Sequence, residues 1–242
     1  VGVGNCASSL LMGLEYYKNI KDTDNIVPGL MHNSIGRYKI SDIVPVLAFD
    51  IDCRKVNKDL SEAIFAEPNC TKIFSKVPFL NVKVMKTCVF DGVADNMKNS
   101  FIVDDKQNEL NCTQIVKLLK EKEVDVLINY LPVGTKIGTN YWAQIALDAS
   151  VGFINCIPEF ITSNSEWVEK FKQANIPIIG DDIKSQAGAT ILHRAIINML
   201  TSRGAKINST WQTNVGGNTD FKNMLSESRI TSKRMSKTES VS

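Results

Sequence analysis

The chain has 242 residues, and its 28 Lys and Arg against 26 Asp and Glu leave a formal net charge of +2. So balanced a surface lacks the basic excess of a nucleic-acid footprint and excludes nucleic acid as a partner. With 43% hydrophobic and 22% charged residues the composition is that of a globular chain, and no apolar run approaches the roughly eighteen residues that span a bilayer.

The length suits one large domain, or one domain and part of a second. After the opening Val1-Gly2-Val3-Gly4, apolar residues Leu10, Leu11, Leu14 and Tyr17 recur at helical spacing and predict a helix over 7–17. A loop-type insertion over about 19–41 follows. The near-continuous apolar run 44–51 reads as a strand buried on both faces. Leu60, Ala63 and Ile64 predict a helix stopped by Pro68, and 82–90 predicts a strand. Ile115, Val116, Leu118 and Leu119 predict the next helix, and 124–129 a buried strand. Tyr141, Trp142, Ile145, Ala146 and Ala149 form a helical pattern, followed by a strand over 151–157. Trp167, Val168, Phe171 and Ala174 form another, opened by the capping candidates Ser163 and Ser165, with a short strand over 177–180. Strand and helix in alternation mean parallel pairing through right-handed crossovers. The expected class is therefore α/β, a Rossmann-like doubly wound parallel sheet.

The last quarter differs. Residues 185–200 predict a long helix ended by Gly204, 206–212 alternate like a half-exposed strand, and 214–218 are turn-rich. A domain change is placed near Gly180. Residues 1–180 form the sheet domain, and 181–242 begin an α+β domain. The cysteines at 6, 53, 70, 88, 112 and 156 form no CxxC pair, and the only histidines are His32 and His193. Zinc spacing is absent, so no metal ligands are assigned. The cysteines read as small buried side chains in a reducing compartment, the cytosol. No signal peptide is visible. Trp142 and Trp167 read as packing residues, and His193 as structural.

Three groups carry candidate chemistry. Gly2-Val3-Gly4-Asn5-Cys6-Ala7 fits G-x-G-x-x-A ahead of a helix. Gly2 permits the tight turn, Gly4 lets the backbone approach a pyrophosphate, and Ala7 allows close helix–strand packing. The bland alternative is a plain glycine-rich turn. The strand ends are Gly4, Asp50 with Asp52, Asn129 through Pro132, Cys156 with Pro158, and Asp181 with Asp182. In an open parallel sheet such ends line one crevice where ligands bind. Asp50 is placed to bond an adenosine ribose, which favours NAD over NADP. It follows Gly4 by 46 residues, where about 20 is ordinary, and the 19–41 insertion accounts for the excess. The other reading of Asp50 and Asp52 is a solvated strand end.

The second group is Gly180-Asp181-Asp182-Ile183-Lys184-Ser185-Gln186, with carboxylates, a lysine and small polar groups where a helix begins. It suits phosphate binding, or simply helix capping. The third is Lys233 and Lys237, spaced i, i+4 on one helix face. Paired ammonium groups depress one another's pKa, which suits proton transfer; a solvated basic face is the alternative.

Together with Pro28-Gly29-Leu30-Met31-His32, Ala48-Phe49-Asp50-Ile51-Asp52, 214–225 and 232–238, these blocks resemble the prokaryotic-type branch of the myo-inositol-1-phosphate synthase (inositol-3-phosphate synthase) family, in the family's order. The resemblance implies an NAD-dependent isomerase acting on D-glucose 6-phosphate and yielding 1D-myo-inositol 3-phosphate, in inositol and phospholipid biosynthesis. NAD oxidises C5 of the sugar, enolisation at C6 and an intramolecular aldol step close the ring, and the C5 ketone is reduced again. It implies that Gly2, Gly4, Asn5, Cys6, Ala7, Asp50, Asn129, Pro132, Asp181 and Asp182 face the cofactor. Ser185, Gln186, Ala187 and Gly188 would cradle the substrate phosphate. Asp182, Asn214, Lys233 and Lys237 would act at the substrate, with Lys233 moving the proton of the C5 hydroxyl. A homotetramer is implied, while a need for a divalent metal or monovalent cation is left open.

Only Val1 precedes the glycines, whereas a dinucleotide turn ordinarily follows a strand of about five residues. Family members also carry further lysines. The chain is therefore expected to be incomplete at both ends, with a truncated catalytic and oligomerisation domain, and inactive alone. Two other readings stay open. An ordinary NAD-dependent dehydrogenase would release NADH, and a non-catalytic NAD-binding module would bind without turnover.

Overall fold

Among the described residues the architecture is α/β, with two parallel sheets and one short antiparallel hairpin. A computed structural model of the chain describes residues 1–21, 27–227, 229, 230 and 234. These fall into two units: Val1–Cys88 with Ile102–Val124, and Val89–Phe101 with Asp125–Ser242.

In the first unit the opening residues lie beside a strand, the Gly2 N–H donating to Phe49 O at 2.9 Å. Helix α1 (Asn5–Tyr17) begins directly after Gly4. The insertion holds a hairpin, β1 (Ser34–Ile35) and β2 (Tyr38–Lys39). Strand β3 (Ala48–Asp50) pairs in parallel with β4 (Val84–Lys86), Asp50 opposite Lys86. Both are shorter than the apolar runs suggest. Ahead of β3, Val44 is exposed and Pro45 has no N–H to give a ladder.

Between the strands lies the single turn α2 (Leu60–Ala63), capped by Asp59. The Asp59 carboxylate accepts from the N–H groups of Ser61, Leu80 and Val82 at 2.9, 3.2 and 2.9 Å. Burial pushes this carboxyl up, but those bonds outweigh burial and hold it below its ordinary value. Helix α3 (Cys112–Glu121) starts in a reciprocal cap between Asn111 and Gln114. Val3, Leu11, Ala48, Leu60, Ala63, Ile64, Val82 and Val84 form the core of this unit. Burying each of its larger aliphatic side chains contributes about 1.5–3 kcal/mol.

In the second unit β5 (Val126–Asn129), β6 (Gly152–Asn155) and β7 (Ile178–Ile179) run parallel in that order, Leu127 opposite Phe153 and Ile154 opposite Ile179. Helix α4 (Lys136–Ala149) connects β5 to β6, and α5 (Ser165–Gln173) connects β6 to β7. Helix α4 ends at Ser150 in the left-handed region, φ 61°. The cap of α5 is Asn164, between the two serines expected there; its carboxamide oxygen reaches the N–H groups of Glu166 and Trp167. Trp142, Ile145, Ala146, Phe153 and Phe171 are buried, and the Phe153 and Phe171 rings stack at 6.3 Å. Trp167 is only half-buried, because its indole N–H turns to Asn140 Oδ1 at 2.8 Å.

Helix α6 (Ala189–Ser202) starts four residues later than the pattern suggests, since the chain bends over 186–188, and α7 (Thr219–Asn223) follows. Residues 206–212 form no strand. Among the described residues no strand pairs with them, and Thr210 and Gln212 bond to His193 of α6 instead. The expectation of buried cysteines also fails. Cys6, Cys53 and Cys70 are exposed, and Cys88, Cys112 and Cys156 half-buried. Three stand at element ends rather than on inward faces: Cys6 lies in the first turn of α1, Cys112 opens α3, and Cys156 follows β6. Among the described residues no helix is long and apolar enough to cross a membrane.

Candidate functional site

The first unit brings the glycine turn and Asp50 together. Gly2 has φ 81°, a conformation an L side chain rarely takes. A Cβ built on Gly4 would meet nothing within 4 Å, so the space over the turn is open. Gly4 is the N-cap of α1 and has no side chain to close it, which leaves the first N–H groups of the helix unsealed by their own cap. Residues Asn5, Cys6 and Ala7 form the first turn of α1. Its N–H groups and dipole favour an anion.

Asp50 ends β3 next to that turn. Its Oδ2 accepts from Val3 N–H at 2.7 Å, and its Oδ1 from Ile51 and Asp52 N–H at 2.7 and 2.9 Å. These bonds aim the carboxylate and leave further acceptor capacity on Oδ2. Asp52, beside it, is wholly buried and bound to Arg54 through two contacts, Nε–Oδ1 at 2.8 Å and Nη2–Oδ2 at 2.5 Å. Burial pushes Asp52 up, and the bonds from Arg54 and Ile102 bring it below its ordinary value. Asp52 is therefore an internal anchor rather than a solvated strand end. Asp50, by contrast, is only half-buried. An open glycine turn, a helix start without a side-chain cap and an oriented carboxylate fit a dinucleotide.

The second unit holds the other candidates. Asn129, fully buried at the end of β5, donates to Asn155 Oδ1 at 2.9 Å and to Thr139 Oγ1 at 3.3 Å. Pro132 O accepts from Thr135 Oγ1 at 2.6 Å, shaping the turn into α4. The start of α4 is closed by Asp91, whose carboxylate accepts from Ile137 and Gly138 N–H at 2.8 and 3.0 Å. Arg229 is buried and donates to Asp91 O and Thr135 Oγ1.

Asp181 is engaged on several sides. It accepts from Asn155 Nδ2 at 2.7 Å and from the N–H groups of Ile161, Thr162 and Ser163 at 2.9, 3.1 and 3.0 Å. It thus orders the loop after β6. Asp182 takes φ 72°, and its N–H donates to Ile157 O at 3.1 Å. Ser185, Gln186 and Ala187 are exposed, and Gly188 is the N-cap of α6. Asn214 is tied toward α6: its Oδ1 accepts from Gln212 Nε2 at 2.8 Å, Gln212 also donates to Thr190 Oγ1 at 3.1 Å, and the Gln212 oxygen meets His193 Nδ1 at 3.3 Å. Lys233 and Lys237 lie outside the described residues. Sequence reasoning missed Asp91, Arg229 and Gln212, whose partners are distant in the chain and leave no local pattern. Among the described residues no group of three His, Cys, Asp or Glu could hold a metal ion.

The model of the myo-inositol-1-phosphate synthase family matches residues 188–242. Over 241 residues the chain is 48% identical to an inositol-3-phosphate synthase of Mycolicibacterium smegmatis, covering 100% of this chain and 65% of that one. It is 46% identical over 240 residues to the inositol-3-phosphate synthase of Corynebacterium glutamicum, covering 99% and 65%. A crystal structure of Ari2 superposes with a TM-score of 0.77 at 33% identity, over 92% of this chain and 65% of that one. The chain therefore spans about 65% of the length of the curated relatives it matches.

Proposed function

We propose that this chain, which belongs to the myo-inositol-1-phosphate synthase family, is part of an NAD-dependent isomerase that turns D-glucose 6-phosphate into 1D-myo-inositol 3-phosphate. The observation that carries the reading is 48% identity over the whole chain to an enzyme of that name. The open glycine turn beside Asp50 supports it. The fold reading that goes with it is a Rossmann-like doubly wound arrangement, with catalytic residues entering from about Gly180 onward. A homotetramer in the cytoplasm belongs to the same proposal.

NAD, when bound, supplies reversible hydride transfer at one sugar carbon. The chain's own residues do the rest. The backbone from Gly2 to Ala7 offers N–H groups and a helix N-terminus to the pyrophosphate. The Asp50 carboxylate, oriented by Val3, Ile51 and Asp52, accepts from a ribose hydroxyl. The family resemblance assigns Asn129, Pro132, Asp181 and Asp182 to the nicotinamide half. Ser185, Gln186, Ala187 and Gly188 form the exposed turn before α6, suited to the substrate phosphate. Asn214, steadied by Gln212, bonds a sugar hydroxyl. Lys233 moves the proton of the C5 hydroxyl, and Lys237 balances negative charge on the substrate.

The test uses the protein that carries this chain. It should form inositol phosphate from glucose 6-phosphate. Lys233→Ala should abolish that turnover while NAD binding persists. Unchanged turnover in the variant would remove Lys233 from the mechanism, and no inositol phosphate from the unaltered protein would remove the function.

A further inference from the structure

A buried charge lies beneath the glycine turn, and the chemistry above does not use it. Lys55 is 2% exposed. Its Nζ donates to Val3 O at 2.7 Å and to Asn69 Oδ1 at 3.0 Å. Asn69 Nδ2 donates to the same Val3 O at 3.2 Å and to Ile64 O at 2.8 Å. One carbonyl of the turn thus takes two inward donors, one of them charged. The Val3–Gly4 peptide is trans. A planar trans peptide points its C=O and N–H in opposite directions. Holding Val3 O against Lys55 and Asn69 therefore turns the Gly4 N–H away from them. The next residues strap the turn further: Asn5 Oδ1 accepts from Cys70 N–H at 2.8 Å, and Asn5 O from Thr71 Oγ1 at 3.1 Å.

We infer that Lys55 and Asn69 are positioning residues that hold the Val3 carbonyl inward and so set the Gly2–Gly4 turn to receive a dinucleotide pyrophosphate. The inference rests on the cofactor reading above. Lys55 touches no ligand in this account and acts through the backbone. Its burial has a cost: desolvation pulls the ammonium below the ordinary lysine value, Asp50 and Asp52 oppose that pull, and Arg54 adds to it. A buried ammonium bonded to a main-chain carbonyl is an expensive way merely to fill space, which an apolar side chain would fill without desolvation. It is well suited to fixing one peptide plane.

The experiment titrates NAD, ADP and adenosine into the protein that carries this chain, unaltered and as Lys55→Met, Asn69→Ser and the exposed control Lys58→Met, with a thermal melt of each. Losing a charged hydrogen bond at the turn should weaken NAD and ADP about tenfold in Lys55→Met, and Asn69→Ser about threefold. Adenosine, which has no pyrophosphate, should bind all four proteins alike. Folded Lys55→Met with unaltered ADP affinity, or with adenosine weakened as much as ADP, would overturn the inference. If Lys55→Met melts below the assay temperature, the same ADP-against-adenosine split in Asn69→Ser decides. An unaltered protein that binds neither NAD nor ADP would overturn the cofactor reading and this inference with it. Normal ADP binding in every variant would overturn the inference alone.

Discussion

Helices α4 and α6 are both 14 residues long and similarly apolar, yet they are held by different means. In α4, Gly138, Thr139, Trp142, Ala143, Ile145, Ala146 and Ala149 are buried against the sheet of the second unit. In α6 no residue is buried. Leu192, Ile196 and Met199, at i, i+4 and i+7, are 64%, 52% and 53% exposed. Trp211, Val215 and Leu225 beyond it are more exposed still. The same periodicity thus marks a filled interface in one helix and an uncovered stripe in the other. An isolated helix of this length is marginal in water, so tertiary packing anchors α4, and local propensity with the His193–Gln212 contacts supports α6.

The largest effect that could break this comparison is at Trp142. Trp142→Ala should cost about 3–5 kcal/mol in urea unfolding, because the cavity lies between α4 and the sheet. A loss no greater than that of an exposed α6 substitution would erase the distinction.

Next comes the polar side of the same core. Asn155→Leu removes a donor to Asp181 and the acceptor for Asn129, so about 1–3 kcal/mol should be lost. Proteolysis within 161–163, whose N–H groups Asp181 holds, should quicken.

Acid extends the anchored side of the comparison to the first unit. Asp52 and Asp59 are both held below the ordinary value of 3.8. Each contributes stability that is present above that value and lost as pH falls through its lower folded value. The unfolding free energy should therefore drop below pH 3.8, with a shallower slope in Asp59→Asn.

The smallest effect is expected on α6. Leu192→Ser and Ile196→Ser should change stability by no more than about 0.5 kcal/mol, and should lower the binding of a hydrophobic dye, since the stripe is already open to solvent.

Local signals were the legible ones. The glycine turn, the body of α1, the parallel strand–helix alternation and Asp50 at a strand end all follow from residues near one another in sequence. The segment 206–212 was misread because alternation reports a strand only when a neighbouring strand pairs with it. The α5 cap was missed by one residue, since Asn164 and the serines beside it are all good caps. The Lys55–Val3 bond spans 52 positions, and no spacing rule connects such residues. Nor could any periodicity show that the stripe of α6 stays uncovered, because exposure depends on what packs against a helix.

The most direct test follows the nicotinamide absorbance and the sugar product together, in the protein that carries this chain supplied with NAD and glucose 6-phosphate. The account predicts steady formation of inositol phosphate with no net growth of NADH, because the hydride returns to the sugar. Stoichiometric accumulation of NADH with an oxidised sugar product would contradict it and mark a dehydrogenase.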